Sequence, residues 1–165
     1  MKIISTLAKI AAISGFTYVA YQVGQQFLKL RKIDYEFKRY AIKKITRKFI
    51  AIDTVVTVIN PTDLDVMIQS YDINIFLNGK YVGKSKYKKP QMIKANTRTD
   101  IIIEIGVNLK QYFNLSEILQ LSALVLKAPS KVKFHYEGLV KIKHSIVTAT
   151  IPVKIDYSLK EMLED

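Results

Sequence analysis

The side chains that could do chemistry are few, and their spacing does not assemble a reaction centre. His135 and His144 are the only histidines, nine residues apart in strand-like stretches, and the chain has no cysteine. Zinc sites draw on three or four protein ligands, so two histidines with only Glu137 nearby lack a third partner. Ser145 follows His144, but no elbow turn or placed acid accompanies the pair, and a serine-based triad is not formed. Asp53, Asp63, Asp65 and Asp72 gather in sequence around Asn60-Pro61. Their oxygens suit calcium, yet no stretch follows a D-x-D-x-D-G loop, and aspartate is an ordinary residue of solvated turns. The six glycines are scattered and form no phosphate-cradling pattern. Missing cysteines also remove disulfides, thiol nucleophiles and the acylated cysteine of a lipoprotein. The chain therefore reads as a non-enzyme with no cofactor and no metal.

Charge is the stronger signal. The 165 residues carry 26 Lys and Arg against 14 Asp and Glu, a net charge of +12. Much of that excess lies between Leu28 and Lys48, where Lys29, Arg31, Lys32, Lys38, Arg39, Lys43, Lys44, Arg47 and Lys48 face only Asp34 and Glu36. Nine cations against two anions leave +7 in this neck, which favours anionic partners: a lipid surface, an acidic protein face or nucleic acid. Tyr35, Phe37 and Tyr40 interleave with the cations, as in a platform for stacked bases. The same pattern describes an edge strand whose lysines discourage further pairing, which is the preferred reading.

The elements that position these residues are mostly strands. Ile50, Ile52, Val56 and Val58 share one parity and Phe49, Ala51, Val55 and Ile59 the other, so this strand is apolar on both faces and reads as central. Asn60-Pro61 stops it. Val66 to Leu77 forms the next strand, and Asn78-Gly79 supplies the two positive φ values of a type I′ hairpin turn, with Gly83 in the return strand. Before the central strand, Ile33, Tyr35 and Phe37 alternate with Asp34, Glu36 and Lys38, a half-buried strand that extends toward Ile42 and Ile45. Lys84 to Arg98 reads as an irregular, solvated edge around Pro90, and Ile101 to Leu109 as a firm strand. Asn114 with Glu117 three residues later is a capping-box start for a helix through Lys127, closed by Pro129. Val132 to Tyr136 is a strand that Gly138 interrupts and Leu139 to Lys143 continues. Ile146 to Ile155 is the last strand, interrupted by Pro152, and Leu159 to Asp165 is a short acidic tail with room for a frayed helical turn. Short strands with one late helix predict a small antiparallel β-sandwich, mainly β, over residues 32–158 with a tail at 159–165.

Residues 1–31 are expected to form an apolar helix leading into the basic neck. Ile3 to Val23 approaches the roughly 20 residues needed to cross a bilayer, with Lys9 near one end. Ala11 with Gly15, and Ala20 with Gly24, are small-xxx-small pairs that permit close helix packing. The cations after Leu28 predict, by the positive-inside rule, a membrane-associated protein whose carboxy-terminal domain faces the cytoplasm. The same helix could instead pack on protein subunits in an oligomeric assembly such as a virion neck, tail or capsid.

In the order of its elements the chain resembles the type 2 late embryogenesis abundant family, also called the water stress and hypersensitive response domain. The resemblance covers about residues 33 to 157 and rests on VINPTDLDV, SYDINIFLNGKYVGKS, SEILQLSALVLKAPS, KVKFHYEGLVKIK and TATIPVKIDY. Asn60 and Pro61 match the family's Asn-Pro, Gly79 and Gly83 its hairpin glycines, Gly138 the glycine after the late helix, and Pro152 the proline in the last strand. This resemblance implies a seven-stranded sandwich of fibronectin type III or immunoglobulin-like shape, no catalytic set, and, more weakly, stress protection.

Overall fold

The computed structural model describes residues 17–87 and 89–164. A helix over 17–30 (α1) leads into β1 (Asp34–Ile45), β2 (Phe49–Asn60), β3 (Val66–Leu77), β4 (Lys80–Tyr87), β5 (Gln91–Ile93) and β6 (Thr97–Asn108). Two helices follow, α2 (Leu109–Tyr112) and α3 (Leu115–Lys127), then a 3-10 turn (Pro129–Lys131), β7 (Lys133–His144), β8 (Val147–Ser158) and α4 (Leu159–Glu164). The strands make two antiparallel sheets, β1-β2-β6 and β4-β3-β7-β8, with β5 pairing the remaining length of β3. The β-sandwich with a late helix is thus the observed fold, with eight strands among the described residues where the family resemblance implied seven.

The two sheets pack face to face because each presents an alternating apolar row. Ile101, Ile103, Ile105 and Val107 of β6 are buried while the residues between them are exposed. Ile50, Ile52, Thr54 and Val56 of β2 meet Tyr71, Ile73, Ile75 and Leu77 of β3 and Phe134 and Tyr136 of β7 in the same interior. β2 is the middle strand of its sheet; on its outer side Val55 and Thr57 are buried, whereas Ala51 and Ile59 are half-buried and Phe49 is exposed, so the two-sided apolar pattern is buried only in part. Phe37 stacks on Tyr40 with centroids 3.8 Å apart, Tyr40 meets Tyr157 at a tilt with centroids 3.9 Å apart, and the three rings fill the margin between β1 and β8.

One long side of the sandwich is stitched by the Ser85 hydroxyl, which donates to the Glu104 carbonyl at 3.1 Å. The other side lies between the edge strands β1 and β8. There the Tyr35 hydroxyl accepts from the Lys154 amide at 3.0 Å, so a side chain supplies the partner that no strand provides.

Several expectations about element boundaries are corrected. Gly138 does not interrupt its strand: β7 runs unbroken, and the glycine lies where β3 comes closest, its absent Cβ sparing a 2.2 Å approach to the Asp72 carbonyl. Pro152 likewise sits inside an unbroken β8, on the sheet's outer edge strand where a missing amide leaves no partner unpaired. The stretch from Lys84 to Arg98 is not an irregular edge throughout, because β4 continues to Tyr87, Ile93 of β5 is fully buried, and β6 already begins at Thr97. The acidic tail is a helix, α4, that buries Leu159 and Met162. Lys88 and Asp165, like Ala11, Gly15, Lys9 and most of the apolar span, lie outside the described residues.

Candidate interaction surfaces

The two histidines are separated by the length of β7. His135 lies on the outer face of the larger sheet, Nδ1 2.6 Å from Asp156 and Nε2 3.3 Å from Glu137. The hydrogen bond to Asp156 raises the imidazole above its ordinary value, partial burial opposes that, and Glu137 adds to it. His144 instead donates Nδ1–H to the Asp65 carbonyl at 2.6 Å, next to the left-handed turn residue Ser145, so its ring bridges two turns. Among the described residues no three His, Asp or Glu side chains gather in a metal-holding arrangement.

The four aspartates read as a possible calcium cluster are dispersed, each against a lysine. Asp53 pairs with Lys43 at 3.1 Å, Asp63 with Lys29 at 2.7 Å, Asp65 with Lys94 at 2.8 Å and Asp72 with Lys84 at 2.7 Å. The lysine hydrogen bond is the main reason that Asp63, Asp65 and Asp72 sit below the usual carboxylate value. These are surface pairs in high dielectric and contribute little to stability.

Asn60 does more than end a strand. It is 1% exposed; its amide nitrogen donates to the Leu64 and Lys94 carbonyls at 2.8 and 3.0 Å, and its Oδ1 accepts from the Thr62 amide and hydroxyl. Pro61 follows at the exposed start of that turn. Asn78 and Gly79 have φ of 49° and 78°, as the hairpin required, and the Asn78 side chain also accepts from the Lys133 amide at 2.7 Å. Gly83, at φ 144°, sits beside the bulge where β4 slips register against β3. Inside the sandwich the hydroxyls of Thr54, Tyr136 and Tyr157 are buried without a hydrogen bond. Burial pushes the Tyr136 phenol well up; the nearby Thr54 hydroxyl opposes this slightly, although the two oxygens do not meet hydrogen-bond geometry.

The basic neck is not one patch. Lys29, Arg31 and Lys32 stand at the α1 end of the sandwich, Lys38 and Arg39 midway along β1, and Lys43, Lys44, Arg47 and Lys48 at the opposite end. Lys38 is bound by Asp100 at 2.5 Å, and Lys29 and Lys43 by their aspartates. β1 is an edge strand, and its two register shifts fall around Lys38 and Lys43, so bulges and lysines together blunt the edge.

α1 meets the sandwich only through its last turns. Leu30 is fully buried with Ile33, Val66, Ile68, Ile93 and Ile142, and Val23 is partly buried against them. Tyr18, Val19, Tyr21 and Leu28 are more than half exposed. Ala20 and Gly24 are also exposed, and nothing lies within 4 Å of a Cβ built at Gly24. Among the described residues no helix is long and apolar enough to cross a membrane.

Sequence reasoning missed one surface. Only Ile118 and Leu121 of α3 are buried, with Leu124 and Val125 partly so, while Leu115, Leu119 and Leu126 point outward. The signal was present in the spacing: at about 100° per residue these three leucines fall within about 40° of one another, on a side distinct from Ile118 and Leu121.

The sequence profile of the family described as late embryogenesis abundant protein matches residues 55–157. No curated protein matches in sequence. Among solved structures, a solution structure described as a late embryogenesis abundant (LEA) protein is 13% identical, with 91% of this chain and 83% of that chain covered and a TM-score of 0.52. A second solution structure, from Arabidopsis thaliana, is 19% identical over 76% of this chain and 82% of its own, with a TM-score of 0.51. At such identities the likeness is one of fold.

Proposed function

Since the chain belongs to the type 2 late embryogenesis abundant family, a family of non-enzymatic, stress-related proteins, we propose that it is a non-enzymatic interaction domain of the water stress and hypersensitive response kind, tethered through α1. The observation that carries this reading is the outward face of α1. Tyr18 and Tyr21 are 64% and 61% exposed and share one side of the helix with Leu28, opposite the Val23 and Leu30 side whose last turn is locked into the sandwich core. A monomer seldom leaves such a surface to water. Tyrosines with an apolar body and a polar tip suit a bilayer interface, and Arg31 and Lys32 just beyond add attraction to anionic headgroups. In this reading α1 holds the sandwich to a membrane, the sandwich faces the cytoplasm, and its surfaces engage protein partners.

Fractionation of the full chain tests the tether. Membrane-bound protein released by detergent but not by high salt is the expected result, and Tyr18→Ser combined with Tyr21→Ser shifts it toward the soluble fraction. A full chain that stays soluble and monomeric without detergent removes the reading.

A further inference from the structure

The end of the sandwich farthest from α1 carries a second exposed apolar surface that the tether does not use. Leu115, Leu119 and Leu126 of α3 are 74%, 54% and 84% exposed, and they line one stripe of the helix. The inner side of α3 is already committed to the core through Ile118 and Leu121, so these leucines have no place in the domain's own interior. At its carboxy-terminal end the stripe meets the β1–β2 turn: Leu126 and Val125 share a groove with Ile45, Thr46 and Arg47. Ile45 and Phe49 add exposed apolar area, Phe49 lying over Gly106.

The charges at the β1–β2 turn and the adjoining end of α3 are positive, while the exposed Glu104 of β6 lies farther along the outer face, opposite Asp53. Lys44, Arg47, Lys48 and Lys127 are exposed, and none forms an ion pair among the described residues. The nearest carboxylates on these elements are already occupied, Asp53 by Lys43 and Glu117 by Lys80. The β1–β2 turn is held rigidly, with the Thr46 hydroxyl accepting from the Phe49 amide at 3.0 Å and the Leu109 amide donating to the Lys48 carbonyl at 2.9 Å. Arg47 and Lys48 are thereby presented at the tip.

We propose that this end docks on the surface of an anionic lipid bilayer. Leu115, Leu119 and Leu126 enter the headgroup boundary, and Arg47, Lys48, Lys44 and Lys127 reach the lipid phosphates. Protruding leucines rimmed by unpaired cations are the complement of such a surface, which supplies both an apolar layer and negative charge. The inference goes beyond the tether, because α1 and this tip stand at opposite ends of β1, about 35 Å apart for a bulged strand of this length. A chain held by α1 would present the tip to a second bilayer.

The sequence has no tryptophan, so one introduced at the stripe reports locally. Leu126→Trp, made in the full chain at a position 84% exposed, is compared with Tyr21→Trp on α1, each checked for unchanged circular dichroism. With vesicles of phosphatidylcholine and phosphatidylglycerol, the Leu126→Trp emission is expected to move to shorter wavelength, and with phosphatidylcholine alone to stay put. Adding Arg47→Gln or Lys48→Gln weakens that response about fivefold each, and Leu115→Ser with Leu119→Ser abolishes it. The inference is overturned if only the α1 reporter responds, if neutral vesicles shift the Leu126→Trp chain equally, or if its shift needs no vesicles and grows with protein concentration. A silent α1 reporter beside a responsive tip removes the tether and leaves this inference standing.

Discussion

His135 stands between two carboxylates on an open face of the sheet, and its protonation is tied to folding. Asp156 first and Glu137 second favour the imidazolium, so the folded value lies above the ordinary 6.5, where the unfolded chain titrates. A raised value in the folded state means stabilisation that is complete below the unfolded value and lost as the pH rises through the folded one. His135→Gln is therefore expected to lower the urea midpoint at pH 5.5 and to match the parent protein by pH 9. An equal deficit at both pH values would show that the ring acts by packing against Phe76, 5.6 Å between centroids, and not by charge. The histidine was visible in the sequence, but its partners were not equally so. Glu137 is two residues away on the same strand, whereas Asp156 is brought alongside only by the β7–β8 pairing. Asn60 shows the same division: the strand stop was legible from Asn-Pro, while the bond to Lys94, 34 residues on, depends on β5 folding back beside β3.

At the scale of elements, the local devices were the readable ones. The Asn114–Glu117 capping box forms as its spacing implied, with each side chain bonded to the other's amide at 2.9 and 2.7 Å. The Asn78-Gly79 hairpin closes for an equally local reason. Gly138 and Pro152 were misread because both are poor strand residues in isolation, and only the sheet explains why each is tolerated. A Cβ at Gly138 would come within 2.2 Å of the Asp72 carbonyl oxygen and 2.7 Å of Ile73 Cα, both backbone atoms of the paired strand that cannot step aside as a side chain could. Gly138→Ala is expected to cost about 3 kcal/mol, at the upper end of ordinary overpacking, measured by guanidinium unfolding. The neighbouring substitution Leu139→Ala removes a side chain 55% exposed and should cost far less. If the two cost the same, the strand separation at this point is softer than the geometry indicates.

At the scale of the molecule, the question is where the tether ends and the sandwich begins. A boundary after residue 31 follows from hydropathy and charge, because the apolar stretch gives way there to cations. Packing places the transition earlier. Leu30 has no exposed surface and lies among residues of β3, β5, β6 and β7, while Leu28, two positions back on the same helix, is 56% exposed. Hydropathy treats these leucines alike; the helix's angle to the sandwich separates them. Two matched substitutions tell the roles apart. Leu30→Ala leaves a cavity at the junction and is expected to lower the unfolding free energy of the whole domain by about 3 kcal/mol. Leu28→Ala should change it by no more than about 0.5 kcal/mol, as surface substitutions do, while weakening membrane partitioning. Urea unfolding followed by far-ultraviolet circular dichroism measures the first effect, and its strand signal reports the sandwich and not α1. A small cost for Leu30→Ala would mean that α1 is hinged to the domain. A large one means that the pull of a partner on α1 is transmitted to the strands, and that the leucine-rich tip at the far end is held at a fixed distance from whatever α1 grips.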